Sequence, residues 1–344
     1  MKCMRSLLIT LLIMMFSQLS ADSSAKFPCR SDLKLIQAGL DFSLAEKYSQ
    51  ADSCYQLLID KYPQHPAGYY FMATQKYNQM KAGEHFLFEE KYYDYLDKAV
   101  DLADDIRRKD RYNAWAYYFM GSAFFYRAMY DHRKGGQLSV VRNSIRGKNL
   151  IKRCLKYNPE IYDAYVCLGS YNYWGSVETR NLSWMPFFGD NREEGLKQLE
   201  LARDSSMFSR RLAETIMIYV YTEENSFERA SEIFYRLYEL FPESCMPLWA
   251  GGEMYYKAEK YDSALLIYDT LVNRIQTRQT HNNHNLYQAC FYRAHCYFEM
   301  ENYPEALKQV EYCQSIPLSE DVRDNLKSYR EELKNIRRKI AENR

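Results

Sequence analysis

The sequence predicts an all-α solenoid of about seven antiparallel helix pairs, with insertions and a C-terminal capping helix. Three observations predict it. Chain breakers are scarce, with 13 Gly and 9 Pro in 344 residues, too few for the frequent turns of a β-sandwich. Tyr (33) outnumbers Phe (17), and amphipathic aromatics suit long helices that pack on one side. A helix-contact position returns along the chain at Gly39, Ala73, Gly121, Gly169, Ile218, Gly252 and Ala294, in steps of 34, 48, 48, 49, 34 and 42 residues.

The elements follow in order. Lys2 and Arg5 precede an apolar run from Leu7 to Phe16, interrupted only by Thr10, and residues turn small and polar up to Ala21. This is the pattern of a secretory signal, residues 1–21, with cleavage after Ala21 or as late as Ala25. The run is shorter than the roughly 20 residues of a membrane span, so retention as an anchor is the lesser alternative. The mature protein is expected to be exported, periplasmic or extracellular, and soluble. Residues 32–318 are the solenoid, and 319–344 are a capping helix and tail.

The first unit has Leu35, Ala38, Gly39 and Phe42 on one helix, Ala51, Tyr55 and Leu58 on the next, and Pro63 after it. The fifth (Met217, Ile218, Tyr221, Ala230, Phe234, Leu237, Pro242), sixth (Leu248, Gly251, Gly252, Tyr255, Ala264, Tyr268, Leu271) and seventh (Ala294, Tyr297, Ala306, Val310, Cys313) repeat it. The second unit is weakest (Tyr69, Met72, Ala73; Tyr92, Leu96, Ala99). The third (Tyr117, Gly121, Phe124; Gly147, Ile151, Cys154) and fourth (Leu168, Gly169; Gly195, Leu199, Ala202) carry insertions. Each pair buries only part of its apolar face, so stacking must supply the rest. From Glu320 to Asn343, Leu326, Tyr329, Leu333, Ile336 and Ile340 recur in steps of three and four, an amphipathic helix fit to close the open end.

These units resemble the tetratricopeptide-repeat superfamily from Asp32 to Leu318. A narrower resemblance lies at Gly189-Asp190-Asn191-Arg192-Glu193-Glu194-Gly195. It is similar to a Gly-Asp-Arg-x-x-Gly segment of exported bacterial repeat proteins and of the eukaryotic inclusion-body-clearance, or tetratricopeptide family 39, proteins; Asn191 is an extra residue relative to that motif. The resemblance implies adaptor or scaffold behaviour and brings no catalytic residues. Physically, Asp190 reads as an N-cap with Glu193 completing a capping box.

In such a superhelix the first helices line a concave groove. The groove positions here hold Tyr70, Tyr77, Trp115, Tyr118, Phe125, Tyr126, Tyr173, Trp174, Tyr219, Trp249 and Tyr256, followed by Phe291 and Phe298. Such rings suit a recognition surface for an extended peptide, a glycan or an apolar ligand. The alternative is that inserted segments fold back and make these rings core. The Lys and Asn of carboxylate-clamp repeats are absent from the equivalent positions, which excludes that function.

Formal charge is +1, and removal of Lys2 and Arg5 leaves 44 of the 46 basic residues against 45 acidic ones. That balance argues against nucleic-acid binding. Charge is nonetheless local. Residues 127–153 carry eight Lys and Arg against Asp131 alone, either a solvated face or a contact for an anionic surface. The second insertion clusters Trp184, Met185, Phe187 and Phe188, as a buried plug or a membrane-dipping loop.

No phosphate loop, nucleophile elbow or zinc-protease motif occurs, no Cys-x-x-Cys pair exists, and His281 and His284 alone make no metal site. No catalysis, cofactor or metal is expected. The eight cysteines after the signal read as core thiols or as one or two disulfides. The leading expectation is a non-catalytic extracytoplasmic scaffold holding an envelope protein or complex. The alternative is a small-ligand or glycan-binding module, associated with transport.

Overall fold

The structure, a computed structural model, describes residues 30–179, 189–278 and 283–342. All regular structure among them is helical. Seven antiparallel pairs run in chain order: α1 (Arg30–Leu44) with α2 (Tyr48–Lys61), α3 (Pro66–Ala82) with α4 (Glu89–Lys109), α5 (Ala114–Arg133) with α6 (Gln137–Tyr157), α7 (Ala164–Glu178) with α8 (Arg192–Ser205), α9 (Arg210–Glu223) with α10 (Phe227–Leu240), α11 (Cys245–Lys257) with α12 (Tyr261–Gln276), and α13 (His284–Glu299) with α14 (Tyr303–Ser315). α15 (Glu320–Asn325) and α16 (Lys327–Glu342) follow. The signal segment and the Trp184–Phe188 cluster lie outside the described residues.

The helices form where the apolar stripe and the caps agree. α10 shows the rule: Ala230, Ile233, Phe234 and Leu237 are buried on one stripe while charged residues fill the other face. Each large side chain buried there contributes about 1.5–3 kcal/mol. Asn113 starts α5 by accepting from the Ala116 N–H (3.1 Å), and His65 with Pro66 starts α3. Within pairs three and four the two backbones touch. A Cβ on Gly121 would lie 3.1 Å from the Gly147 carbonyl, and one on Gly195 would lie 2.8 Å from the Gly169 carbonyl and 2.7 Å from the Tyr173 nitrogen. The small residues of the repeat are therefore contact points, as their recurrence implied.

Two expectations are corrected. Residues 127–153 are not a separate insertion between helices. They are the end of α5, a turn at Lys134–Gly136 and most of α6, because the added residues lengthen both helices to 20 and 21 residues. The buried register of α6 (Asn143, Gly147, Ile151, Cys154) is unbroken, so nothing forces the chain out of helix. Second, Asp190 is not the N-cap of α8. The cap position is Asn191, and Asp190 instead accepts from the Arg192 N–H (3.0 Å) and grips its guanidinium (2.8 Å). Glu193 pairs with Lys197 at 2.6 Å rather than closing a capping box.

The core runs along the solenoid as overlapping clusters, and the last is closed by the C-terminal helices. Leu326, Leu333, Ile336 and Ile340 are buried against pairs six and seven, with a break in the helix at Leu326. Seven cysteines are described, all as free thiols, and six of them are buried. Among the described residues no helix is long and apolar enough to cross a membrane.

Candidate functional site

Three contacts tie short segments of the chain to distant helix pairs, and the first is made by the α1–α2 turn. Leu44 and Ala45 pack against the cluster formed by Val166, Ile218, Ala250 and their neighbours in pairs four to six. Beside them Glu46 Oε1 accepts from the Cys245 N–H (2.6 Å) and the Ser244 hydroxyl (3.3 Å), and its other oxygen pairs with Arg278. Arg278 also donates to the Glu243 carbonyl at 2.7 Å. Burial and the Glu46 carboxylate push the Tyr48 hydroxyl well above its ordinary range.

A second tie lies at the α3–α4 turn. Glu84 is buried, and the Asn285 and His284 N–H groups at the start of α13 donate to it. Burial raises its pKa to about 7 despite those bonds. Glu46 and Glu84 both have left-handed backbone, φ 59° and 57°. Asn225, Glu259 and Glu301 hold the same conformation in the corresponding turns of pairs five to seven. A third tie is Phe208, between α8 and α9, whose ring packs on Phe71 (5.2 Å) and Tyr118 (5.8 Å). Asp163 fixes that loop by accepting the N–H groups of Met207 (3.0 Å), Phe208 (3.0 Å) and Ser209 (2.7 Å).

The aromatics expected at groove positions fall into two classes of exposure. Tyr70, Tyr77, Tyr118, Tyr173 and Phe291 are core residues, at most 7% exposed. Tyr70 meets Tyr118, Phe119 and Tyr126 edge-on, and the Tyr173 hydroxyl donates to Glu224 at 2.7 Å. Trp115, Phe125, Tyr126, Trp174, Tyr219, Trp249, Tyr256 and Phe298 are half-buried. Of these, Trp115 leans on Phe208 (6.0 Å) and Tyr126 on Tyr77 (5.6 Å), so both pack with the buried N-terminal aromatics.

In the C-terminal half the half-buried rings adjoin charge. The Tyr256 hydroxyl is 3.0 Å from His295 Nδ1, and Glu299 is 3.5 Å from the same ring nitrogen. Burial lowers the His295 pKa, and the Lys339 ammonium lies over the Phe298 ring at 5.6 Å. Burial raises the Tyr219 and Tyr292 hydroxyl pKa values, and Glu253 adds to both, after Tyr329 in the case of Tyr292. Lys257 is shared between Glu223 and Glu253, 3.3 Å from each. The face thus combines half-buried rings with three carboxylates, Glu223, Glu253 and Glu299, beside two ammonium groups, Lys257 and Lys339.

A cavity of about 290 Å³ lies elsewhere, lined by Arg203, Arg210, Glu214, Tyr221, Arg229 and Arg236. Buried Glu214 is held there by Arg211 (2.8 Å), Arg236 (3.1 Å) and Arg210 (3.7 Å), and Arg229 pairs with Glu200 at 2.7 Å. It is an ion-pair network joining α8, α9 and α10, not the enclosed aromatic pocket a ligand module calls for. Among the described residues no group of three or more His, Cys, Asp or Glu side chains is placed to hold a metal ion.

Neither a protein-family model nor a curated protein matches the sequence. Solved structures match the fold. The Cut9–Hcn1 hetero-tetramer of the APC/C superposes with TM-score 0.52 at 10% identity, covering 78% of this chain and 43% of that one. The fold is a tetratricopeptide solenoid. The chain spans less than half of that neighbour, and at this identity the likeness concerns architecture alone. A tetratricopeptide repeat protein from Parabacteroides merdae matches 88% of this chain and 99% of its own at 16% identity, TM-score 0.38. PilW, a type IV pilus biogenesis factor, matches 70% and 94% at 14% identity, TM-score 0.45.

The residues that sequence reading missed are Glu46, Glu84, Asp163 and Phe208. One signal was present. Ala45-Glu46-Lys47-Tyr48 recurs as Ala258-Glu259-Lys260-Tyr261, marking a shared turn. The turn marks position in the repeat, but which of the glutamates crosses the solenoid depends on the superhelix.

Proposed function

We propose that this chain is an exported, non-catalytic scaffold that holds a segment of an envelope protein on the concave side of pairs five to seven. The observation carrying this reading is the face formed by Tyr219, Glu253, Tyr256, His295 and Phe298, where half-exposed rings adjoin carboxylates that exceed their cationic partners. Rings of this kind give apolar contact with a polar tip at low entropic cost, and the excess negative charge favours a partner segment rich in Lys or Arg. Export is supported by the N-terminal charge and hydropathy pattern. The neighbouring fold supports the scaffold class, because a solenoid offers an extended surface and separates it from any single chemical centre.

The test is site-specific photocrosslinking in cells that produce the full chain. A photoreactive phenylalanine analogue replaces Tyr256 in one strain and Leu266, 70% exposed on α12, in another. Specific protein adducts from position 256, absent from 266, support the reading. Identical adducts from both, or none from 256, overturn it.

A further inference from the structure

We propose that the outward face of α6 docks on an anionic phospholipid surface, an interaction independent of the concave side. α6 carries six basic residues and no carboxylate in its 21 residues. Its inward stripe, Asn143, Gly147, Ile151 and Cys154, is buried against the solenoid. The opposite face, generated by steps of three and four from Leu138, is therefore fixed toward solvent.

Two chemistries share that face. At its N-terminal end Leu138 is 89% exposed, Val141 57% and Ile145 44%. Interleaved and following are Arg142, Lys152 and Arg153, exposed and, among the described residues, without a carboxylate partner. Two other cations are already engaged with rings, Arg146 over Phe124 at 4.0 Å and Lys148 over Tyr171 at 4.6 Å. The neighbouring hairpin tip adds to the same edge. Lys134 reaches Glu89 at 2.8 Å and lies over Phe86 at 5.4 Å, and Leu87 beside it is 68% exposed.

Charge complementarity and the apolar residues together select the occupant. Unpaired cations call for an anionic surface. A polyanion alone would leave three exposed aliphatic side chains in water. A docked protein is expected to bury aromatic or Arg anchors in pockets, whereas the exposed apolar groups of this strip are the aliphatic Leu138, Val141 and Ile145 alone. A bilayer interface satisfies both parts, taking the aliphatic groups below the headgroups and the cations among them.

Vesicle flotation with the full mature chain tests this. Vesicles of phosphatidylcholine alone are compared with vesicles of phosphatidylcholine mixed with phosphatidylglycerol. The expected result is flotation with the anionic vesicles only, weakening as salt is raised. An Arg142→Glu, Lys152→Glu, Arg153→Glu variant should partition roughly a hundredfold less. A Leu138→Gln, Val141→Gln, Ile145→Gln variant, which keeps every charge, should lose roughly tenfold. All six positions are exposed, and unchanged circular dichroism establishes that each variant is folded. No flotation, equal flotation with neutral vesicles, or anionic flotation unaffected by the aliphatic substitutions would overturn the proposal. So would capture of an acidic protein through this face by a chain that ignores vesicles.

Discussion

Glu46 and Arg278, 232 residues apart in the chain, form an ion pair that joins the first helix pair directly to the sixth. Solenoid stability is ordinarily a sum of neighbour terms, so distant repeats are free to unfold separately. Here the α1–α2 turn is bonded to the start of α11 and packed on pairs four to six, which makes the first pair part of the same cooperative unit.

Removing Glu46 should therefore be felt far from the turn. Glu46→Ala leaves the Cys245 N–H without its acceptor and Arg278 without its carboxylate, bonded only to the Glu243 carbonyl and the Cys245 sulfur, at a cost of about 2–4 kcal/mol. In urea, the wild type should show coincident transitions by circular dichroism and by tryptophan fluorescence. In the variant the two should separate as the first pair melts early.

Glu84 should make stability depend on pH. Burial raises its folded pKa to about 7 from an ordinary value of 4.5. A raised folded pKa binds extra protons in the native state, so the contribution is fully present below about 4.5 and is lost as pH rises through about 7. The shift corresponds to at most about 3 kcal/mol. Glu84→Gln should flatten the decline in unfolding free energy between pH 5 and pH 8, measured by denaturant titration at each pH, as a rough window set by that shift.

Asp163 holds three N–H groups of the loop that carries Phe208. Asp163→Ala strands those donors in a buried place and should cost about 2–4 kcal/mol. Trp115 stands beside Phe208, so a changed tryptophan emission in the folded variant should report displacement of the loop.

Glycines at the two kinds of site should respond in opposite directions. Gly195→Ala sets a methyl 2.7 Å from the Tyr173 backbone nitrogen, and the overpacking should cost about 1–3 kcal/mol or more. Gly175→Ala, near the end of α7, meets nothing within 4 Å and should stabilise the helix by about 0.5–1 kcal/mol. Thermal melts of the two variants should move apart on either side of the wild type.

The fold was legible because its determinants are local and repeated. Gly121, Gly147, Gly169 and Gly195 had to be small wherever two backbones touch, and Leu333, Ile336 and Ile340 show their burial in their spacing. The third pair was misread because a repeat of fixed length makes extra residues look inserted. Only the register through Asn143, Gly147 and Ile151 shows that helix continues. The candidate face was legible only in part. Position in the repeat aims Tyr70 and Tyr118 inward, but it does not show that Phe208, from the end of pair four, packs on Phe71 and Tyr118 in the same cluster. Glu46 is the extreme case. On its own turn it resembles Glu259, and only the path of the superhelix brings Ser244 and Arg278 to it.

Native-state hydrogen exchange at the Cys245 amide, in the wild type and in Glu46→Ala, tests the central claim most directly. The Glu46 tie predicts strong protection of this first-turn N–H, which has no partner within its own helix, and its loss in the variant together with protection in α1. Rapid exchange of the Cys245 amide in the wild type, or a loss in the variant confined to α1, would contradict the account.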